Sequence, residues 1–343
     1  MKRFWLIMAL LLFLTGCGDG AAKAEPAEEG DKEIQIGLSF DTFVVERWQR
    51  DRDVFVSTAS ELGAQVNVQN ANGDVQEQIA QLEYFIEKKV DVIVVVPIEA
   101  ESLASTIKKA REEGIKVISY DRLATNSHAD LYISFDNEAV GALMGKAVSG
   151  QLDKGDQVLM ICGPRSDNNV SLVRKGFLEE LEQKGAEVLD TVYIDGWKAE
   201  FAADYISENI DQVGQIQAIM CGNDNLAGQV IRVLAENRLA GSVCVVGQDA
   251  DLEACQRIVE GTQYMTVYKP VEKLAKRAAE AAVALAEGEE VEAPDTIFDG
   301  SWDVPYIKLD PLAVTAENMD AIIVDSGFHL KEDIYIDRPN VAP

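Results

Sequence analysis

The sequence predicts an α/β protein made of two doubly wound lobes, each built on a parallel sheet. From residue 33 onward, apolar β-branched runs alternate with stretches of helical periodicity, which is typical of strands joined by covering helices. The alternation supplies about ten strands, too many for one comfortable open sheet with a single ligand crevice. Polar and aromatic residues follow nearly every strand, at the edge where parallel sheets bind ligands.

The first half of this pattern predicts a series of strands separated by helices. The strands are EIQIGLSF, VNVQNA, VDVIVVVP, IKVISYD and LYISFD, and the continuous β-branched run of the third indicates burial on both faces. The helices are VERWQRDRDVFVSTASELG, DVQEQIAQLEYFIEKK and SLASTIKKAREEG. The first ends at Gly63 and the third at Gly114, since glycine suits the position after a helix, and Asp74 is a candidate N-cap of the second.

The second half repeats the same rhythm. Its helices are NEAVGALMGKAVSGQL, NNVSLVRKGFLEELEQKG, EFAADYISENIDQVG and NLAGQVIRVLAENRL, and its strands are DQVLMICG, AEVLDTVYI, IQAIMCGN, VCVVGQD and QYMTVYK. Pro270 prevents the last strand from continuing as a ladder strand, and the helix VEKLAKRAAEAAVALAEG follows. After Gly288 the pattern loosens and leaves room for a return crossing, a strand and a short helix.

The boundary between the lobes is predicted near residues 133–137. No linker rich in glycine, proline or serine occurs there, so we expect strands that cross between the lobes. The predicted N-terminal lobe is residues 33–135 plus 270–300, and the predicted C-terminal lobe is residues 136–269 plus 301–343.

The N-terminus is typical of an export signal. Lys2 and Arg3 precede an apolar segment, residues 4–14, that is shorter than the roughly 20 residues of a membrane-spanning helix. Leu-Thr-Gly then precedes Cys17 in the pattern of a bacterial lipobox, which predicts a signal peptide of residues 1–16 and lipidation of Cys17. Residues 17–32 are small and acidic, as in a flexible tether. The alternative is simple secretion with an incidental Cys17.

Composition excludes several classes of function. A net charge of −28 argues against nucleic-acid binding, which needs a basic surface. Only two histidines occur, and the sequence contains neither a Gly-x-Ser-x-Gly elbow nor a phosphate-binding loop. The remaining cysteines form no CxxC or Cys/His group, so we expect no metal site and buried free thiols. These cysteines are Cys162, Cys221, Cys244 and Cys255.

The residues that follow the predicted strands are planar polar groups, cations and two tryptophans. Carboxylates, amides and guanidinium groups can bond sugar hydroxyls in pairs, and the C–H faces of a sugar pack on indole rings. The pattern therefore favours a sugar-binding rim. They are Asp41, Arg47, Trp48, Asp121, Arg122, Asp167, Asn168, Asn169, Asp195, Trp197, Asn223, Asp224, Gln248, Asp249 and Lys269.

Each of these residues also has a simpler interpretation. Asp121 and Asp224 are candidate helix caps, Arg122 a candidate partner of a neighbouring carboxylate, and Trp48 a candidate core residue. Asp224 with Asp249 is the pair that could serve a glycosidase, but neither lies in a context that suggests a raised pKa.

Short motifs spread over residues 33–328 carry a family resemblance. In order they are ERWQRDRD, QNANGD, GIKVISYDR, YISFDNE, DNN, DGW, GQDADL, GTQYMTVYKP and DVP. Together they closely resemble the bacterial D-xylose-binding proteins of ABC transport systems, within the type I periplasmic sugar-binding protein family. YISFDN, GQDAD and MTVYKP are the specific motifs. The segment CGPRS, which contains Arg165, departs from the pattern, and the lipobox contrasts with the family's usual soluble form.

The resemblance implies two lobes joined by three crossing segments, with a sugar in the cleft and no cofactor. It also implies that the indoles of Trp48 and Trp197 sandwich the pyranose ring. The implied sugar contacts are Arg47, Trp48, Asp121, Arg122, Asp167, Asn169, Trp197, Asn223, Asp249 and Lys269.

Three classes of function remain open at this stage. The first is a monomeric receptor, attached to the membrane only through its lipid, that binds D-xylose or a related pentose for an ABC permease. The second is a sensor subunit that docks on a receptor histidine kinase or a chemoreceptor. The third is an enzyme acting on a sugar, which the missing catalytic motifs disfavour. A sugar-responsive repressor would need an N-terminal helix-turn-helix where the export signal lies.

Overall fold

A computed structural model describes residues 33–336, which form alternating strands and helices. The strands are β1 (Ile34–Phe40), β2 (Ala64–Asn70), β3 (Val92–Val95), β4 (Lys116–Tyr120), β5 (Leu131–Phe135), β6 (Gln157–Cys162), β7 (Glu187–Tyr193), β8 (Ala218–Cys221), β9 (Cys244–Gln248), β10 (Met265–Tyr268), β11 (Asp295–Phe298), β12 (Asp303–Leu309) and β13 (Leu312–Val314). The helices are α1 (Arg47–Glu61), α2 (Val75–Lys88), α3 (Ala104–Glu112), α4 (Asn137–Ser149), α5 (Asn168–Lys184), α6 (Glu200–Glu208), α7 (Ile210–Val213), α8 (Asp224–Glu236), α9 (Leu252–Glu260), α10 (Val271–Glu287) and α11 (Lys331–Ile334).

The strands form two sheets, one in each lobe. The first has the order β11-β12-β5-β4-β3-β1-β2, and the second has the order β13-β10-β9-β8-β6-β7. Within each sheet the neighbouring strands run parallel except at one edge, where β11 pairs antiparallel with β12 and β13 pairs antiparallel with β10. The predicted two-lobed α/β class is confirmed, with the refinement that each sheet is mixed.

The chain passes between the two sheets three times. It leaves the first sheet at Asp136, between β5 and α4, and α4 packs on α5 of the second lobe. It returns at residues 269–270, between β10 and α10, and α10 packs on α1 of the first lobe. It leaves again at residues 310–311, between β12 and β13. Three short connections therefore join the lobes, and their shortness restricts the lobes to hinge-like motion.

One predicted boundary is wrong. The sequence pattern places residues 301–309 in the C-terminal lobe, but β12 pairs parallel with β5 in the first sheet, with Tyr306 opposite Tyr132. β11 and β12 form an antiparallel hairpin through Gly300, whose φ of 106° suits glycine. The last crossing therefore lies after β12. The alternating pattern of β12 predicts a strand but carries no information about which sheet it joins.

The two helices that lead into the second lobe approach each other closely. A Cβ added at Gly141 of α4 would lie 1.9 Å from the carbonyl oxygen of Val173, and one added at Gly176 of α5 would lie 2.0 Å from that of Glu138. The glycines let the two backbones meet and so set the position of the α5 N-terminus, where two of the predicted site residues lie. None of the helices in residues 33–336 combines the length and apolar character needed to cross a membrane.

Candidate functional site

All the residues predicted to contact a sugar lie around one cavity between the lobes. The cavity comprises ≈ 520 Å³ of space free of protein atoms, part of it open solvent. It lies at the carboxyl ends of strands from both sheets, as expected for ligand sites of open α/β folds. The predicted residues that line it are Arg47, Trp48, Asp121, Arg122, Asp167, Asn169, Trp197, Asn223, Asp249 and Lys269.

The first lobe supplies four of these residues from two places. Arg47 and Trp48 are the first two residues of α1, which follows the loop after β1. Asp121 and Arg122 follow β4 directly, and Asp121 has a left-handed φ of 60°. Such a backbone is uncommon for a residue other than glycine, and it is typical of positions held by their surroundings at functional sites.

The second lobe supplies the remaining residues from the ends of consecutive strands. Asp167 and Asn169 lie at the start of α5 after β6, and Trp197 closes the 3₁₀ turn Asp195–Trp197 after β7. Asn223, Asp249 and Lys269 follow β8, β9 and β10. Trp197 and Asp249 have positive φ values of 58° and 103°, so three site residues hold strained backbones.

Arg47 lies at the centre of a buried charge network. Its Nη2 is 2.8 Å from Asp121 Oδ2 and 3.1 Å from Asp51 Oδ1, and Asp51 also accepts a short hydrogen bond from the hydroxyl of Tyr120. Burial alone would raise the pKa of Asp121, but the nearby cations Arg47, Lys269 and Arg122 outweigh burial and lower it. The carboxyl of Asp121 is therefore ionised and available to accept hydrogen bonds.

Arg122 joins the two lobes. Its Nη1 lies 2.6 Å from Asp41 Oδ2 in the first lobe, and its Nε lies 2.7 Å from Asp167 Oδ2 in the second. Burial raises the pKa of both carboxyls even though Arg122 favours their charged forms. A buried Asp–Arg–Asp group of this kind is costly to desolvate and is strongly destabilised when one member is removed.

Lys269 pairs with Asp249 at the second crossing between the lobes. Lys269 Nζ lies 2.6 Å from Asp249 Oδ1, and both residues are buried. Asp249 follows β9 and Lys269 follows β10, so neighbouring strands of one sheet place the two charges side by side. The pair lines the cavity and forms part of the connection between lobes.

The two indoles differ in their support. Trp48 packs on Phe40, with ring centroids 6.0 Å apart, and the Arg47 guanidinium lies 4.4 Å from its ring centroid. Trp197 lies against the strand ends, where a Cβ on Gly163 would come within 2.2 Å of the indole. In the described part of the chain, Nε1 of Trp48 is buried without a hydrogen-bond partner. The indole N–H of Trp197 is also buried, but it interacts with the carboxylate of Asp167 and favours its charged form. Buried N–H groups usually have partners, so the N–H of Trp48 is the one left free to donate to a ligand.

Comparison with known proteins places this chain in a protein family. The family model described as "Periplasmic binding protein domain" matches residues 36–290. The chain belongs to this family of periplasmic binding proteins.

Two characterised periplasmic binding proteins match nearly the whole chain. The "D-xylose-binding periplasmic protein" of Haemophilus influenzae is 43% identical over 92% of this chain and 96% of that protein. The protein of the same name from Escherichia coli is 41% identical over 88% of this chain and 93% of its own length. Both relatives are solute-binding proteins and not enzymes.

A solved structure from Chloroflexus aurantiacus shares the fold. It is a carbohydrate transporter solute binding protein in complex with D-glucose, with a TM-score of 0.82 and 28% identity, covering 88% of this chain and 98% of that one. The type I periplasmic-binding-protein fold inferred from the motifs is therefore confirmed.

The structure tests the simpler interpretations of Asp224 as a helix cap and of Arg122 as a partner of a carboxylate. Asn223, and not Asp224, caps α8, because its Oδ1 accepts from the backbone N–H of Leu226 at 2.9 Å. Asp224 is not part of the cavity lining, and its carboxylate accepts from Thr266 and Gln263. Burial raises its pKa to about 7, so the expectation that its surroundings would not raise the pKa is wrong for this residue. Arg122 both lines the cavity and pairs with carboxylates, so each interpretation of that residue holds.

Several cavity residues were not among the predicted contacts. Gln248 is one of the polar residues that follow the predicted strands. Its Nε2 donates to the Gly222 carbonyl at 2.5 Å, and its buried Oε1 has no partner in residues 33–336. Gly163 and Gly222 form the surface beneath Trp197. A feature of the sequence could have indicated these two glycines, because the strands MICG and AIMCG both end in a Cys-Gly pair. The other missed lining residues are Val45, Asn137, Cys162, Val170, Val173 and Met220.

Arg165, the departure from the family pattern, lies at the surface. Its guanidinium lies 3.5 Å from the ring centroid of Tyr193, and the side chain is not part of the cavity lining. The neighbouring Ser166 contacts the first lobe, because its carbonyl accepts from the N–H of Ala100 at 2.9 Å. The CGPRS segment therefore helps to hold the lobes together, and it reaches the cavity through Cys162 and Gly163 but not through Arg165.

Proposed function

We propose that this periplasmic binding protein is a lipid-anchored receptor that binds D-xylose in the cavity between its lobes and delivers it to an ABC permease. The observation that supports it most is the composition of one cavity, which combines paired carboxylates and cations with two indoles. Xylose is favoured over other sugars because the Haemophilus influenzae and Escherichia coli relatives carry that sugar in their names. These relatives do not favour the alternative of a sensor subunit.

The proposed binding chemistry follows from which groups are free to bond hydroxyls. A sugar hydroxyl donates one hydrogen bond and accepts others, so an ionised carboxylate beside a cation can engage it from both sides. Asp121 with Arg47 offers one such pair, and Asp249 with Lys269 offers a second. The indoles of Trp48 and Trp197 supply apolar faces for the C–H groups of the ring.

Release of the sugar requires the lobes to separate. The cavity wall includes residues of both lobes, and the Arg122–Asp167 pair spans them. The described arrangement is therefore the closed form, and a sugar favours it by binding it more tightly than the open form. In the proposed cycle the permease recognises the closed form and receives the sugar when the lobes separate.

Calorimetry against a panel of monosaccharides tests the proposed ligand. We expect xylose to bind most tightly, with a Kd at or below roughly 1 μM, equivalent to about −8 kcal/mol. The panel comprises xylose, ribose, arabinose, glucose and galactose. A chelator should leave the affinity unchanged, because no metal is proposed in the site. Tighter binding of ribose or galactose than of xylose would contradict the proposal.

The lipid anchor is a separate proposal that rests on the sequence alone, because Cys17 lies outside the described residues. We expect mass spectrometry of the natively processed protein to show a chain that begins at Cys17 and carries acyl groups. Cys17→Ser should release the protein from the membrane fraction or block its processing, while Cys162→Ser should leave processing unchanged. A mature chain that begins elsewhere and carries no lipid would refute the anchor but not the sugar site.

A further inference from the structure

The backbone carbonyl of Asp121 accepts an unusual set of side-chain hydrogen bonds. Tyr132 Oη donates to it at 3.0 Å, Ser134 Oγ at 2.5 Å and Asn169 Nδ2 at 3.0 Å. Asp121 has a left-handed φ of 60°, a conformation that residues with a Cβ rarely adopt. Such backbones persist where the surroundings over-determine them, and these three donors provide that constraint.

The conformation of Asp121 decides where its carboxylate points. Its Oδ2 lies 2.8 Å from Arg47 Nη2, and its Oδ1 lies 3.3 Å from Asn169 Nδ2. Tyr132 and Ser134 are fully buried and are not part of the cavity lining. Their hydroxyls also lie near two lining residues, with Tyr132 Oη 3.4 Å from Asn169 Oδ1 and Ser134 Oγ 3.3 Å from Asn137 Nδ2. The contact with the Asp121 carbonyl is the shorter one in each case.

The two hydroxyl donors are themselves held in place. The ring of Tyr132 on β5 stacks on Tyr306 of β12, with centroids 4.6 Å apart, because the two residues are register partners. Asn137 Nδ2 donates to Ser134 Oγ at 3.3 Å, so the serine hydroxyl receives one hydrogen bond and keeps its own hydrogen for Asp121. The return strand β12 thus supports a site to which it contributes no lining residue.

The donors come from different lobes. Tyr132 and Ser134 belong to the first lobe, as does Asp121, whereas Asn169 belongs to α5 of the second. A carbonyl oxygen has two lone pairs, which the two hydroxyls satisfy without Asn169. If the lobes separated, Asn169 would leave, and the two hydroxyls of the first lobe would still bond the Asp121 carbonyl. The first lobe alone therefore contains the groups needed to keep the carboxylate oriented for an incoming sugar.

We propose that Tyr132 and Ser134 are positioning residues that preorganise the Asp121 carboxylate for sugar binding. The inference rests on the proposed function, since it requires Asp121 to contact the sugar. Preorganisation strengthens binding because no ordering of the carboxylate remains to be done when the sugar arrives. It also gives YISFDN, one of the specific motifs, a role in the site through two residues outside the predicted contacts.

The test compares two tyrosines that stack on each other. Tyr132→Phe removes the hydroxyl bonded to Asp121, and Tyr306→Phe removes a hydroxyl that donates to the Phe135 carbonyl at 2.8 Å, away from the site. We expect Tyr132→Phe to weaken xylose binding by about threefold to tenfold, the loss typical of one hydrogen bond. Tyr306→Phe should lower the melting temperature by about as much as Tyr132→Phe does, because each variant loses one buried hydrogen bond, but it should leave the affinity for xylose unchanged.

The same substitution in an Asp121→Gly protein shows whether the loss of xylose affinity depends on Asp121. Glycine adopts a positive φ freely and has no carboxylate to orient, so Tyr132→Phe should cost almost no affinity in an Asp121→Gly protein. Ser134→Ala should repeat the loss seen with Tyr132→Phe, and Ser134→Thr, which keeps a hydroxyl, should restore part of it. An equal loss from both tyrosine variants, or an undiminished loss in the Asp121→Gly background, would overturn the positioning role.

The outcomes also separate this inference from the proposed function. If Asp121→Gly alone leaves xylose affinity unchanged, Asp121 is not a sugar contact, and that part of the proposed site fails. If Asp121→Gly weakens binding but Tyr132→Phe and Ser134→Ala do not, the site stands and the positioning role fails. Should Tyr132→Phe fold poorly, the Ser134→Ala and Ser134→Thr pair decides the same question by itself.

Discussion

Arg122→Met should abolish measurable sugar binding and lower the free energy of unfolding by about 3–5 kcal/mol. The change leaves Asp41 and Asp167 buried without the cation that lies 2.6 Å and 2.7 Å from them, and removing one member of a buried ionic group typically costs this much. It also removes the ion pair that spans the lobes, so the closed form loses more than the open form. Calorimetry with xylose measures the loss of sugar affinity, and titration with a denaturant measures the loss of stability.

The loss of stability should depend on pH. Burial already raises the pKa of Asp41 and Asp167 in the folded protein, and losing Arg122 raises it further. A carboxyl whose folded pKa lies above its unfolded value stabilises the fold at low pH and loses that contribution as the pH rises through the folded pKa. The stability difference between Arg122→Met and the parent should therefore shrink as the pH falls from neutrality toward the ordinary carboxyl pKa of 3.8.

Arg232 offers a matched control for this experiment. It forms an exposed i,i+4 pair with Glu236, with side chains 52% and 59% accessible to solvent. Arg232→Met should therefore change stability by no more than about 1 kcal/mol and leave the sugar affinity unchanged. If Arg122→Met proves as mild as Arg232→Met, the buried charges are compensated in some other way, and Arg122 is not the link between the lobes.

Trp197→Ala is expected to weaken xylose binding by about 2 kcal/mol or more, roughly thirtyfold. Truncating an aromatic residue in a desolvated pocket typically has an effect of this size, and the variant leaves bare the surface formed by Gly163 and Gly222. Alanine, like tryptophan, has a Cβ, so the free-energy cost of the backbone conformation at φ 58° is about the same in the variant. The change in affinity therefore reports on the loss of the indole. The melting temperature without sugar should fall much less than the melting temperature with sugar.

The same variant tests closure of the lobes. In the parent protein, xylose should reduce the radius of gyration measured by X-ray scattering, because the sugar stabilises the closed form. In Trp197→Ala the reduction should require a correspondingly higher sugar concentration. Trp302, 43% exposed and stacked on His128 in the first lobe, provides the control, and Trp302→Ala should alter neither quantity. Unchanged affinity in Trp197→Ala, with a lower melting temperature without sugar, would make Trp197 a packing residue only.

Much of the fold was predictable because its signals are local. The β-branched run at β3 indicates a strand buried on both faces, and all four residues of that strand are buried. Asp74 caps α2 as predicted, with its carboxylate accepting from the backbone N–H groups of Gln76 and Glu77. The ten predicted sugar contacts lie around one cavity, because residues after parallel strands meet at one edge of a sheet. Their role as sugar contacts stays a prediction.

By itself, the sequence determined the order of strands and helices, the polar character of the strand ends and the family resemblance. These depend on neighbouring residues, through side-chain periodicity, capping and short motifs. Only the tertiary structure decided that β12 joins the first sheet, that Arg122 spans the lobes and that the hydroxyls of Tyr132 and Ser134 hold Asp121. Each of these is a choice among partners distant in the chain. A strand pattern or a lone hydroxyl has many possible partners, and packing of the whole fold selects one of them.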